Sequence, residues 1–175
     1  MKMLIRLARS ADAAALPAIE RSAAELFRID PTLAWLADTD VADAAQHRHA
    51  IEHAHVWVAE SATVQLAGFV RALTIGKQLH IEELSVSRSF QGQGAGRQLI
   101  SATIAYARRQ RLRAVTLTTF RDVPWNAPFY ERMGFVVVEP DASEAYLIDA
   151  LQKEVEHGFP AERRCAMRLP LSHPR

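Results

Sequence analysis

Residues 79–97 read Leu79-His80-Ile81-Glu82-Glu83-Leu84-Ser85-Val86-Ser87-Arg88-Ser89-Phe90-Gln91-Gly92-Gln93-Gly94-Ala95-Gly96-Arg97, and what this stretch becomes decides the fold. Its first half carries the apolar and branched side chains of a strand. Its second half places three glycines in five positions and runs into a helical pattern. A strand that turns through glycines into a helix start leaves the first-turn N–H groups without intrahelical acceptors. Glycine lets a ligand approach that backbone closely, so the turn suits an anion such as a diphosphate, with Arg97 placed to add a charge-assisted contact. Spacing removes two better-known phosphate turns. The dinucleotide fingerprint needs glycine where Arg97 stands, and the Walker loop needs Gly-Lys-Ser or Gly-Lys-Thr, which is absent. A merely structural glycine turn stays open beside the phosphate reading.

Downstream, residues 97–109 form the expected helix, with Leu99, Ile100, Thr103, Ile104 and Ala107 on one side. The basic run Arg108, Arg109 and Arg111 suits its C-terminal end. Upstream, strands are predicted at 56–60, 66–73 and 79–86, and the short links between them favour antiparallel neighbours. A strand at 3–7 opens the chain. A helix follows over about 14–27, capped by Ser10 or Asp12 with Pro17 early in it, and a second over about 40–52, capped by Thr39 or Asp40. After the glycine turn the order is a strand at 114–119, a helix at 125–133 and a strand at 135–138. A helix at 144–157, ended by Gly158, and a strand at 165–169 complete it. The expectation is one α/β domain over 1–175, with a mixed sheet that is antiparallel in its first half and built with helix crossovers in its second.

A second marker lies about 30 residues beyond the turn: Pro124-Trp125-Asn126-Ala127-Pro128-Phe129-Tyr130-Glu131-Arg132-Met133-Gly134-Phe135. Gln91-x-x-Gly94-x-Gly96 resembles the coenzyme A signature of the GCN5-related N-acetyltransferases (GNAT), and the second segment resembles that family's next helix, with its Asn, its Tyr and its closing Gly-Phe. The resemblance covers nearly the whole chain in element order and residues 79–135 by motif. The Arg164-to-Arg168 ending is also similar to the last strand of many bacterial members. It implies the GNAT acyl-CoA N-acyltransferase fold and acetyl transfer from acetyl-CoA to a primary amine by direct attack in a ternary complex.

Site residues follow from the same resemblance. Gln91, Gly92, Gln93, Gly94, Ala95, Gly96 and Arg97 would hold the pyrophosphate. Leu84, Ser85 and Val86 would offer main-chain groups to the pantetheine arm, and Asn126 and Phe129 would meet the cofactor nearer its thiol. Tyr130 would be the general acid, since a phenol with a pKa near about 10 can protonate a departing thiolate. Family members with an acidic or histidine base place it nine or eleven residues before the signature, here Glu82 and His80. Glu82 is favoured, acting through water with His80 assisting. Strand alternation puts His80 and Glu82 on one side and Glu83 on the other. Two alternatives stand: a regulatory module that binds acetyl-CoA without turnover, and a transferase of a longer acyl group.

The remaining composition narrows the partners. Lysine and arginine total 21 against 20 acidic residues, so no overall field recommends nucleic acid or a membrane, and no window reaches the length of apolar chain that spans a bilayer. The single Cys165 cannot form an internal disulfide, and the amino terminus lacks a long apolar run, so a cytoplasmic protein is expected. A cysteine-borne acetyl intermediate is disfavoured, because alternation places Cys165 with Met167 and Leu169 on the core face of the last strand. His47, His49, His53 and His55 look like a metal cluster but lack a further ligand at fixed spacing; they read as a solvated helix face, and no metal is expected. Asp30, Asp38, Asp40 and Asp43 form a local acidic excess that slightly favours a cationic small-molecule amine over a protein or peptide amine as acceptor. A homodimer through the helix at 144–157 and the last strand is the expected assembly, if there is one.

Overall fold

The computed structural model describes residues 2–173. Among the described residues a strand, two α-helices and three strands are followed by α-helix and strand in alternation, seven strands and five α-helices in all, and the chain divides into two compact units, residues 1–73 with 83–105 and residues 74–82 with 106–175.

In the first unit β1 (Leu4–Leu7) runs antiparallel to β2 (His55–Glu60), and β2 antiparallel to β3 (Leu66–Ile75), with a bulge between Ala59 and Glu60. The second half of β4 (Gln78–Val86) lies beside β3, and Ser87 N–H donates to the Ala67 carbonyl at 2.8 Å. α1 (Leu16–Ala24) and α2 (Ala44–His53) cover this sheet. Leu16, Ile19, Val56, Val58 and Phe69 form a buried cluster whose apolar area is removed from water from both sides.

The first helical region differs from the uninterrupted helix predicted over 14–27. It is a 3-10 turn at Ser10–Ala15, then α1, then a 3-10 turn at Glu25–Ile29. Pro17, lacking an N–H to give, sits in the first turn of α1 where none is needed. Neither Ser10 nor Asp12 is the cap residue, which is Arg9. Asp12 instead accepts Arg9 N–H at 2.7 Å and pairs with Arg6 at 2.8 Å, and the Arg6 guanidinium holds its carboxyl below the usual range. α2 is capped by Asp43, not Thr39 or Asp40: Asp43 accepts Gln46 N–H and Gln46 accepts Asp43 N–H, both at 2.8 Å, a reciprocal capping box.

In the second unit the first half of β4 pairs in parallel with β5 (Ala114–Phe120). β5 is antiparallel to β7 (Arg164–Pro170), which is antiparallel to β6 (Val136–Val138). α4 (Ala127–Glu131) and α5 (Ala145–Glu156) belong to this unit, while α3 (Ala95–Arg109) begins in the first and ends in the second. Glu154 of α5 pairs with Arg164 of β7 at 2.8 Å, and the guanidinium lies 4.5 and 5.0 Å from the Phe120 and Phe159 rings, so this half-buried charge is covered on its faces as well as its edge. No helix among the described residues is long and apolar enough to cross a membrane.

Candidate active site

In the first unit, the glycine turn is built as its sequence requires. Gly92 and Gly94 take φ of +75° and +84°, left-handed values that any side chain would strain. Gln91 does not point away for a ligand: its Nε2 donates to the Val86 carbonyl at 3.0 Å and ties the turn back to the end of β4. Gln93 likewise donates to the Ser89 carbonyl at 3.3 Å. The first α-helical bond of α3 runs from Gln98 N–H to the Gly94 carbonyl at 3.0 Å, so the amides of Ala95, Gly96 and Arg97 precede the ladder. Among the described residues no acceptor meets the main-chain N–H groups of residues 92–97. Such a row of unsatisfied donors at a helix N-terminus has the geometry that suits an anion.

β4 enters the turn through Leu84, Ser85 and Val86. Ser85 is buried, its hydroxyl donating to Glu83 at 2.9 Å, while Leu84 and Val86 are half-buried. Gly68 of β3 backs this segment so closely that a β-carbon there would stand 2.6 Å from the Ser85 carbonyl oxygen.

In the second unit, His80 and Glu82 share β4 but not an environment. His80 is buried opposite Thr116 in the parallel ladder, and its Nδ1 lies 3.0 Å from the Thr116 hydroxyl. That hydroxyl meets the Tyr146 phenol at 2.9 Å, and the phenol donates to Gln78. Gln78 in turn donates to Glu144, which is ion-paired with Arg168. Burial pushes the His80 imidazole down to about 4, with Glu154 opposing the shift, so the ring is neutral at neutral pH. The β4–β5 ladder stops at the His80–Thr116 pair, and Glu82 beyond it is exposed. Thr116 and Tyr146 were not anticipated, since nothing in their own neighbourhoods links them to a residue 36 or 66 positions away.

Tyr130 sits in the short α4, buried at 7% exposure, edge-on to Phe129 at 5.1 Å and to Phe135 at 5.7 Å. Asn126 is the residue that starts α4, and its carbonyl accepts Tyr130 N–H at 3.1 Å. Gly134, at φ +98°, ends the turn, where Phe135 N–H reaches back to the Tyr130 carbonyl at 3.1 Å.

The profile of the acetyltransferase (GNAT) family matches residues 20–135, which run through the turn and α4. The chain belongs to the GNAT family. Among relatives, N-acetyltransferase 8F1 of Rattus norvegicus is 35% identical over 103 residues, 55% of this chain and 46% of that one. N-acetyltransferase 8 of the same species is 34% identical over 103 residues, again 55% and 46%. The chain therefore spans less than half the length of these relatives. Solved structures share the fold. PaiA N-acetyltransferase from Thermoplasma acidophilum, in complex with coenzyme A, superposes with a TM-score of 0.70 at 14% identity, over 98% of this chain and all of that one. The ribosomal-protein-S18-alanine N-acetyltransferase of Escherichia coli does so at 0.70 and 15% identity, over 99% and 97%.

Other candidates settle into structural roles. Cys165 is buried and its thiol is pushed up by that burial, against the pull of Arg121 and Arg164. His47 turns inward against Phe69, 5.2 Å between ring centres, while the exposed His49 and His53 stack at 4.1 Å. Among the described residues no group of three or more His, Cys, Asp or Glu is arranged to hold a metal. Asp38 is taken up by Arg28 at 2.8 Å, Asp30 by the Thr32 hydroxyl at 2.7 Å, and Asp43 by the α2 cap. The acidic excess read from the sequence is thus largely spent within the fold.

Proposed function

We propose that this chain transfers an acetyl group from acetyl-CoA to a primary amine. The row of unsatisfied amides over residues 92–97, in register with the family signature Gln91-x-x-Gly94-x-Gly96, carries this reading. These amides and Arg97 would take the pyrophosphate, and the Leu84–Val86 main chain the pantetheine amides. Asn126 and Phe129 would meet the cofactor nearer its thiol. The family match at 20–135 runs through both compact units, which we take to act as one domain.

In the reaction the free amine nitrogen attacks the thioester carbonyl carbon, the C–N bond forms and the C–S bond breaks. The proton leaving nitrogen passes through water to Glu82, and the departing thiolate takes the Tyr130 phenol proton, giving the amide and free CoA. Glu82 suits the base because it is exposed to water. His80 does not, because its Nδ1 is engaged by Thr116 and burial lowers its affinity for a proton. His80 is better placed to brace β4 beneath Glu82.

An amine panel read by free thiol release tests the proposal and finds the acceptor, with propionyl- and succinyl-CoA run beside acetyl-CoA. Tyr130→Phe is expected to lower kcat by about 10²-fold or more and to remove the fall in rate on the alkaline side of the pH profile, while Glu82→Gln removes the rise on its acid side. A chain that binds acetyl-CoA but releases no thiol with any amine is a sensor, and refutes the transfer reading.

A further inference from the structure

The second unit holds a cluster of cations that the transfer chemistry does not use. Arg108 and Arg109 end α3, Arg111 follows in a left-handed conformation at φ +55°, and with Ser172 and His173 they line a cleft of about 530 Å³. That volume lies within the range of about 300–1,000 Å³ typical of small-ligand clefts. Two further cations, Lys77 and Arg113, lie outside the lining and are joined through the main chain by the 2.7 Å bond from Arg113 N–H to the Lys77 carbonyl. The stretch after β7 closes in through Leu171 N–H to the Arg113 carbonyl at 2.8 Å and His173 Nε2 to the Leu112 carbonyl at 2.7 Å.

Two features separate this cluster from ordinary helix-end decoration. First, no acid neutralises it. Residues 105–118 and 170–175 contain no aspartate or glutamate, and among the described residues no ion pair engages Lys77, Arg108, Arg109, Arg111 or Arg113. The chain as a whole is almost neutral, so this is a local concentration of charge. Second, the guanidinium groups are not needed to cap α3. The carbonyls of Tyr106, Ala107 and Arg108 already accept the main-chain N–H groups of Gln110, Leu112 and Arg111, each at 3.0 Å. Attraction to the helix dipole fades within the last turn and does not reach Arg113 or Lys77. Several unpaired guanidiniums around one cleft repel one another unless an anion sits among them, and their forked donors match phosphoryl oxygens.

We propose that this cleft binds a small anion carrying two or more phosphoryl groups, at residues wholly distinct from the glycine turn. Free diphosphate and a nucleoside polyphosphate share the chemistry that these side chains recognise.

The test is calorimetric titration of the full chain, presaturated with CoA so that the turn is occupied, with inorganic pyrophosphate and separately with ATP at constant ionic strength. A single saturable event is expected, weakened about tenfold or more in Arg109→Gln/Arg111→Gln, two exposed substitutions whose folding is checked by circular dichroism. The ratio of the pyrophosphate and ATP affinities tells the two sources apart. Gly94→Ala, which strains the turn, is expected to weaken CoA and leave this event in place. Were the chain not to bind CoA at all, the acetyl-transfer reading would fail, but the same titration without CoA would still decide this one. Absence of saturable binding at millimolar anion, equal affinity in the double variant, or sulfate binding as tightly as pyrophosphate each overturns the proposal.

Discussion

Gly68→Ala isolates how far β4, the strand proposed to meet the cofactor, depends on its neighbour. A β-carbon at 68 would lie 2.6 Å from the Ser85 carbonyl oxygen and 3.2 Å from both the Cα and a methyl of Val86. Ordinary contact begins near 3.4 Å, so the closest approach is about 0.8 Å short, and the atom in the way is backbone, which has no rotamer to escape into. β4 must move or β3 must bow. Overpacking of this kind costs about 1–3 kcal/mol, of which the lower backbone entropy of unfolded alanine returns about 0.5 kcal/mol. The displaced atoms are those proposed to meet the pantetheine, and misplacement approaching 1 Å can cost about 10²-fold in rate. Urea denaturation should therefore show a loss of about 1–2 kcal/mol, and steady-state kinetics a rise of about tenfold or more in KM for acetyl-CoA. Gly76→Ala is the control: its φ is +58° with nothing within 4 Å, so it should cost stability through backbone strain alone and leave KM unchanged. Wild-type stability and KM in Gly68→Ala would refute the idea that β3 sets the position of Ser85 and Val86.

Acid should unfold the chain partly through His80. Its imidazole is lowered from 6.5 to about 4 by burial, so its contribution is complete above pH 6.5 and is lost as pH falls toward 4, an effect of at most about 3 kcal/mol. His80→Gln should flatten the stability slope between pH 6.5 and 4.5 in urea titrations; an unchanged slope would show that His80 titrates normally. Val64, a branched and exposed residue held at φ +64°, is strained, and Val64→Gly should raise stability by about 1 kcal/mol in the same assay. Cys165 should resist alkylation in the native chain because it is buried with a raised thiol, and Cys165→Ala should keep acetyl transfer with intersecting double-reciprocal plots. Parallel plots in the wild type would instead indicate a covalent acetyl intermediate.

Among the described residues the order of the seven strands and five α-helices was legible because the apolar pattern switches between strand and helix periods, with glycine or proline marking several of the boundaries. The misses have physical causes. The first helix dissolved into 3-10, α and 3-10 segments because an apolar face recurring every three or four residues does not distinguish the two helix types. The α2 cap was misassigned although Asp43-Ala44-Ala45-Gln46 is a capping-box sequence, since Thr39 and Asp40 are equally good caps by residue type alone. The candidate base shows where local reasoning ends. Alternation puts His80 and Glu82 on one side of β4, yet one is buried and the other exposed. The difference lies in the neighbour: the ladder to β5 stops at His80–Thr116, so a β5 hydroxyl and an α5 phenol enclose His80, and Glu82 has moved past both. Where one strand of a pair ends its ladder early, side-chain parity still holds but burial no longer follows it. Glu82, the first acid beyond the last rung, is therefore the one exposed to water.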